Sequence, residues 1–326
     1  MSRAKIVGVG AYVPKRVLTN ADLEAMVETS DQWIVERTGI RERHVADDAE
    51  VTSDLAAKAA TQALDRAGIS PEAVDVIVCA TTSADMLFPS TAIFTQLKIG
   101  AKNAFAFDLW ATCAGSLYSL SVGSQYIETG RARTVLCIGA EILSRYVDYT
   151  DRTTCILLAD AAGAAVLRPS EDDSGIIDVQ LGSNGEYADL LYALGGGTKQ
   201  FPTHESLDQR MHFIRMKGSE VFKVAVRTME QASTAILAKH GVSRDQLRLF
   251  IPHQANLRII EATAKRLGMP MEQVLVNIDR FGNTGAASLY VAMEEAYSLG
   301  RLRKGDLILM AAFGGGLTWG AGLMRW

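Results

Sequence analysis

Short apolar runs alternate with longer, alanine-rich stretches along this chain, and the alternation predicts strands and helices in turn. Val76-Ile77-Val78, Val135-Leu136-Cys137-Ile138, Leu249-Phe250-Ile251 and Leu307-Ile308-Leu309-Met310 are β-rich,. Helices are expected over 53–66 and 221–239, each ahead of one of these runs,. An α/β architecture follows. The segment Phe105-Ala106-Phe107-Asp108-Leu109-Trp110-Ala111-Thr112-Cys113-Ala114-Gly115 reads as a buried strand running directly into a helix that begins at Cys113. Beyond it Leu117, Leu120, Val122, Tyr126 and Ile127 recur at near-helical spacing, enough for about four turns,.

The order of these pieces repeats. Gly68-Ile69-Ser70 and Gly241-Val242-Ser243 are offset by 241 − 68 = 173 residues, and Thr134–Ile138 maps onto Leu307–Ala311 at the same offset, 307 − 134 = 173. Two copies of one α/β unit explain the constant offset. The boundary is expected near 168–174, where Pro169-Ser170-Glu171-Asp172-Asp173-Ser174 breaks the apolar pattern,. The chain then divides into halves over 1–170 and 171–326. At this offset His253 matches Ala80 at a strand end, and Cys113 maps to 286, close to Asn283. Halves packed face to face would gather Cys, His and Asn from equivalent strand ends, where open α/β sheets keep their chemistry.

Composition narrows the class. The chain has 326 residues, 48% of them hydrophobic, ample for a large core, and a net charge of 33 − 37 = −4,. Bulk charge gives no reason to expect nucleic acid. Cys79, Cys113, Cys137 and Cys155 lack CxxC or Cys/His zinc spacing, so neither a metal nor a disulfide framework is expected. The apolar run at the N-terminus, Met1 to Gly10, is too short and too glycine-broken for a signal peptide, and no run is long enough to span a bilayer,. A soluble protein of the reducing cytoplasm is expected.

Cys113 would occupy the first turn of a helix, where free N–H groups and the positive end of the dipole favour a thiolate nucleophile. The plainer alternative is a buried packing thiol. Of five histidines, only His253, in Pro252-His253-Gln254-Ala255-Asn256, follows a strand with a proline fixing its approach. Asn283 lies in Phe281-Gly282-Asn283-Thr284-Gly285, a setting that also suits a turn,. After the last β run, Ala311-Ala312-Phe313-Gly314-Gly315-Gly316-Leu317-Thr318-Trp319-Gly320 carries three consecutive glycines whose backbone can approach a ligand closely,.

Together with Ser30-Asp31-Gln32-Trp33-Ile34-Val35-Glu36-Arg37-Thr38-Gly39-Ile40-Arg41, Asp151-Arg152 and Leu257-Arg258, these motifs resemble, over nearly the whole chain and in order, the β-ketoacyl-acyl carrier protein synthase III enzymes of the thiolase superfamily. The resemblance implies a thiolase-like fold, two α/β halves in a layered α-β-α-β-α core. It implies acyl transfer from acyl-coenzyme A to Cys113, then decarboxylative condensation with malonyl-acyl carrier protein, with no permanently bound cofactor. His253 and Asn283 would stabilise the enolate, and the N–H groups of Cys113 and Gly315 the oxyanion. Coenzyme A would meet Trp33, Arg37, Thr38, Arg152, Phe222 and Asn256. The carrier protein would meet Gln254, Ala255, Asn256, Leu257 and Arg258, with Arg215, Lys217 and Arg266 as further basic candidates. Phe88, reaching across a homodimer interface, and Phe313 would line the acyl pocket.

Several positions depart from the family pattern. Ala159-Asp160-Ala161-Ala162-Gly163 replaces Gly-Asp-Gly-Ala-Gly, Gly285 replaces a serine, Tyr290 a common proline, and Ser116 a bulkier residue. No catalytic group is lost, but pocket size and primer identity stay open. Competing readings are a relative using the same triad in secondary metabolism or in acyl transfer to oxygen or nitrogen, and a non-catalytic partner on the same fold. A nucleotide-binding dehydrogenase is excluded because Gly8-Val9-Gly10 lacks the third glycine and the acidic residue,.

Overall fold

A computed structural model describes residues 3–326. Met1 and Ser2 of the N-terminal run lie outside the described residues. The first sheet holds β1 (Ala4–Tyr12), β2 (Val76–Ala80), β3 (Phe105–Leu109), β4 (Val135–Ile142) and β5 (Asp160–Pro169), in the order β1-β5-β4-β2-β3. The second holds β6 (Gly175–Ser183), β7 (Leu247–Pro252), β8 (Leu307–Gly314) and β9 (Thr318–Arg325), in the order β6-β9-β8-β7. The two orders correspond, with parallel pairing of β2 with β4 matched by β7 with β8. What would be the fifth strand of the second sheet is a single parallel bridge between Phe250 and Val274.

Seven longer helices are α1 (Asp31–Thr38), α2 (Thr52–Ala67), α3 (Thr91–Ile99), α4 (Gly115–Glu128), α5 (Gly218–Lys239), α6 (Leu257–Leu267) and α7 (Ser288–Ser298). α4 and α7 lie between the sheets and pack on strands of both, whereas α2 and α3 cover the outer face of the first sheet and α5, with α6 packed on it, that of the second. This is the five-layer α-β-α-β-α arrangement that the resemblance implied.

The sequence explains which helix goes where. α2 buries one stripe, Leu55, Ala56, Ala59, Ala60, Ala63 and Leu64, as a helix facing a single sheet should,. In α7, Ser288 through Met293 are all buried, because both sides of that helix are covered,. The small residues of α2 permit very close approach to β1: a Cβ added at Gly8 or Gly10 would sit 2.2 Å from the Ala63 or Ala59 carbonyl oxygen,.

The apolar runs read from sequence are cores of longer strands, and both expected helices are present with slightly wider limits. The helix expected from Cys113 differs: a 3-10 turn spans Thr112–Ala114 and the α-helix proper starts at Gly115. Thr112 takes a left-handed φ of 46°, a bend that aims the following residue out of the strand line,. All four cysteines are free thiols, and no helix among the described residues is long and apolar enough to cross a membrane.

Candidate active site

Two turns meet between the sheets. The Thr112–Ala114 turn packs against a second 3-10 turn, Gly285–Ala287, and against β8 and β9. Added Cβ atoms measure the approach: at Gly115 one would lie 3.1 Å from the Cβ of Ala286, and at Gly314 one would lie 2.6 Å from the amide nitrogen of Cys113. The glycine run is thus required where the backbone of β8 passes the nucleophile. Threonine hydroxyls lace the two together, since Thr112 Oγ1 donates to the Gly315 carbonyl at 2.9 Å and Thr318 Oγ1 to the Ala111 carbonyl at 2.8 Å.

Cys113 itself is half-buried. Its thiol is pushed up to about 12, first by burial and then by the charge of Glu141, while its own N–H pulls the other way. The expected thiolate is therefore corrected: the helix start favours the anion, but desolvation outweighs it, and the resting group is a neutral thiol.

His253 follows β7, 2% exposed, with its N–H held by the Ala311 carbonyl at 2.8 Å. Burial drops its imidazole to about 3, so the ring is neutral at physiological pH,. Nδ1 lies 2.5 Å from Ser288 Oγ, the first residue of α7. If that hydroxyl donates, the ring proton is on Nε2, a neutral donor of the kind a developing negative oxygen needs. Asn283 is 9% exposed. Its backbone is fixed to the first half by bonds to Leu157 and Ala159, both 2.9 Å, and its Oδ1 accepts from Gly285 N at 3.0 Å. With the oxygen tied to its own turn, the amide group is the side left to donate.

A second cluster forms around the start of α6. The guanidinium groups of Arg37 and Arg152 lie over the Trp33 ring, 4.5 and 5.1 Å from its centroid, and neither makes an ion pair among the described residues. Asn256 caps α6 by accepting from Arg258 N and donates to the Arg37 carbonyl at 3.0 Å, tying α6 to α1,. Arg258, exposed and without a carboxylate partner among the described residues, lies 5.8 Å from the Phe222 centroid. Arg215, Lys217 and Arg266 are all engaged with carboxylates, of Asp148, Asp189 and Glu230.

Two expectations need correction. Gln254 cannot face a partner: it is 1% exposed, donates to the Pro252 and Leu275 carbonyls and accepts from Asn277 N. Thr38 is 2% exposed, and its hydroxyl donates to Ile34 O and accepts from Ile40 N, closing the end of α1. Ala255 and Leu257 are partly exposed. Phe313 is buried at 5%, whereas Phe88 is 78% exposed, beside Leu87 at 84%.

Sequence reading missed Glu141 and Ser288. Glu141 is 1% exposed at the end of β4, and burial raises its carboxyl to about 7 against the pull of hydroxyl and amide donors. A single charged residue inside an otherwise apolar run, 135–143, was its signal in the sequence. Two clefts, of about 280 and 390 Å³, lie elsewhere, between α5 and Trp319 and beside Tyr149, and contain none of Cys113, His253 and Asn283.

Residues 107–185 match the family described as 3-Oxoacyl-[acyl-carrier-protein (ACP)] synthase III, and residues 237–326 match its C-terminal counterpart. The chain is 50% identical over 323 residues to a protein of Roseiflexus sp. (strain RS-1) and 47% identical over 323 residues to one of Caldanaerobacter subterraneus subsp. tengcongensis, both named Beta-ketoacyl-[acyl-carrier-protein] synthase III, covering 99% of this chain and 98% of each relative. The crystal structure of 3-oxoacyl-[acyl-carrier-protein] synthase III from Aquifex aeolicus VF5 superposes with a TM-score of 0.93 at 47% identity, covering 99% of this chain and 100% of that one.

Proposed function

Because this chain belongs to the β-ketoacyl-[acyl-carrier-protein] synthase III family, the acyl-transferring condensing enzymes that initiate fatty acid synthesis, we propose that Cys113, His253 and Asn283 carry the two half-reactions. In the first, Cys113 sulfur attacks the thioester carbonyl of acyl-coenzyme A. Its proton passes to the departing coenzyme A sulfur, leaving acyl-Cys113. The N–H groups of Cys113 and Gly315 hold the transient oxyanion. In the second, malonyl-acyl carrier protein loses its carboxylate as carbon dioxide. The enolate carbon then attacks the acyl carbonyl, a carbon–carbon bond forms, and Cys113 leaves as thiolate and is reprotonated.

Neutral donors suit the enolate. His253 held uncharged with Nε2–H, and Asn283 with its amide free, can bond the enolate oxygen without supplying or demanding a proton,. A carboxylate at either place would repel it. The observation that carries this reading is the junction of the Thr112–Ala114 and Gly285–Ala287 turns, which brings residues of both halves to one point. The division into halves at 1–170 and 171–326 is part of the same proposal.

Trp33, with Arg37 and Arg152, offers a flat face and two cations without an ion pair among the described residues to the adenine and phosphates of coenzyme A, and Phe222 and Asn256 edge its path,. Arg258, flanked by Ala255 and Leu257 and without a carboxylate partner among the described residues, is a cation to meet an acidic carrier protein. The exposed Met86, Leu87 and Phe88, ahead of α3, with Ile93 and Leu97 on α3 and Phe105 on β3, the edge strand that α3 packs against, favour a homodimer in which Phe88 closes the partner's acyl pocket over Phe313,.

Intact-protein mass spectrometry after incubation with a panel of acyl-coenzyme A thioesters, then with malonyl-acyl carrier protein, tests this. A stable acyl adduct absent in Cys113→Ala, cleared with release of carbon dioxide, is expected. An adduct that survives malonyl carrier protein but clears with an amine or alcohol would overturn the condensation.

A further inference from the structure

The turn bearing Asn283 is gripped from two sides by groups that no step above uses. On one side stands Glu141. Its carboxylate accepts from Thr82 N at 3.1 Å, Thr82 Oγ1 at 3.1 Å and Ser83 Oγ at 2.6 Å. It has no cationic partner among the described residues. Gly285, at φ +55°, lies directly over it: a Cβ there would be 3.0 Å from Glu141 Cγ.

On the other side stands α4, the helix that follows Cys113. Ser116 Oγ donates to the carbonyl of Ala286. The carbonyl of Ser116 in turn accepts from Tyr290 Oη at 3.1 Å, and that hydroxyl also meets Ser119 Oγ at 2.7 Å. A residue at 116 without a hydroxyl would lose the bond to Ala286, and one at 290 without Oη would lose both bonds to α4. Ala286 is therefore held at its carbonyl by the nucleophile's own helix, while Gly285 before it rests on Glu141 of the first sheet.

We propose that Glu141 and Ser116 are positioning residues, a clamp on the Gly285–Ala286 turn, Glu141 beneath Gly285 and Ser116 on the Ala286 carbonyl, that sets the Asn283 carboxamide against Cys113 for the decarboxylative half-reaction. The link to Asn283 is short, since its Oδ1 is held by the N–H of Gly285, the residue before Ala286. Small misplacement of a catalytic donor is costly, on the order of a hundredfold for about 1 Å. The inference rests on the reading that Asn283 acts in condensation.

The test compares Glu141→Gln and Ser116→Ala with Asn283→Ala, singly and in the Asn283→Ala background. Acylation of Cys113 by acyl-coenzyme A and carbon dioxide release from malonyl-acyl carrier protein are measured separately. Both clamp variants should acylate within about threefold of the parent, lose condensation by about tenfold or more, and add little to Asn283→Ala. Equal losses in the two half-reactions, or a full further loss in the Asn283→Ala background, would reduce the clamp to ordinary packing and overturn it. Normal condensation in Asn283→Ala would remove the Asn283 assignment and the clamp with it. Normal condensation in both clamp variants, with Asn283→Ala impaired, would remove the clamp alone. Should Glu141→Gln fail to fold, Ser116→Ala decides by itself.

Discussion

The two halves of the molecule begin their central helices from the same kind of turn and put different chemistry on it. Thr112–Ala114 leads into α4 and Gly285–Ala287 into α7, offset by 285 − 112 = 173 residues, and both turns open on a left-handed residue, Thr112 at φ 46° and Gly285 at φ 55°. Cys113 in one half is Ala286 in the other. Where the first half places Ala80 against Gly115, the second places His253 against Ser288. Where the second half has Gly314 beside the Cys113 amide, the first has Glu141 beneath Gly285, its Cγ 3.0 Å from the site of a Cβ there. One turn is backed by a carboxylate side chain and the other by a bare glycine. Duplication supplied two equivalent turns, and divergence filled the space under one with a side chain and left the other for substrate.

Filling the second turn as well should do the most damage. Gly314→Ala would drive a Cβ to 2.2 Å from Thr112 Oγ1 and 2.6 Å from Cys113 N. We expect acyl-adduct formation to fall by about a hundredfold or more, read by intact mass against a thermal melt; normal acylation would break the correspondence of the two turns. Next comes His253→Ala, expected to cut carbon dioxide release by about a hundredfold while Cys113 still acylates. Parallel loss of both half-reactions would mean that His253 serves the thiol instead. Ser288→Ala, which removes the hydroxyl from Nδ1 and makes the second half resemble Gly115 in the first, should lower condensation by about tenfold through loss of the fixed tautomer. Its pH–rate profile should show the imidazole released from its set state; an unchanged rate would leave Ser288 as a helix start only.

The smallest effect is electrostatic. Glu141 raises the Cys113 thiol, so Glu141→Gln should move the pH profile of Cys113 alkylation to lower pH. Because the Glu141 carboxyl titrates at about 7, parent and variant should differ above that pH, where it is charged, and converge below it,. Cys79 and Tyr146, both raised in part by the same carboxylate, are the other titratable groups facing it. Coincident profiles at every pH would show that the charge does not reach the sulfur.

Much of this was legible in the chain because a repeat leaves a constant offset. The strand ends carrying Cys113, His253 and the Asn283 turn could be aligned from two short matches alone. What stayed hidden depends on side chains meeting across that repeat. Glu141 looks like a stray charge within an apolar run, and only the docked halves bring it under Gly285. Gln254 and Thr38 sit inside recognisable motifs, yet burial turns their side chains inward. The state of the thiol was misjudged for a related reason: the helix start is local and readable, whereas desolvation is set by the sheets closing around it.

The missing strand of the second sheet has its own consequence. At that end of the molecule the first sheet ends on β3, whose residues are exposed or only partly buried, and the second on β7, which is buried at every residue but Arg248 and carries the single Phe250–Val274 bridge. A strand edge open to solvent is a template for another chain. Covering β7 with the segment around Val274 withholds that template from the second sheet, while β3 still offers one on the first.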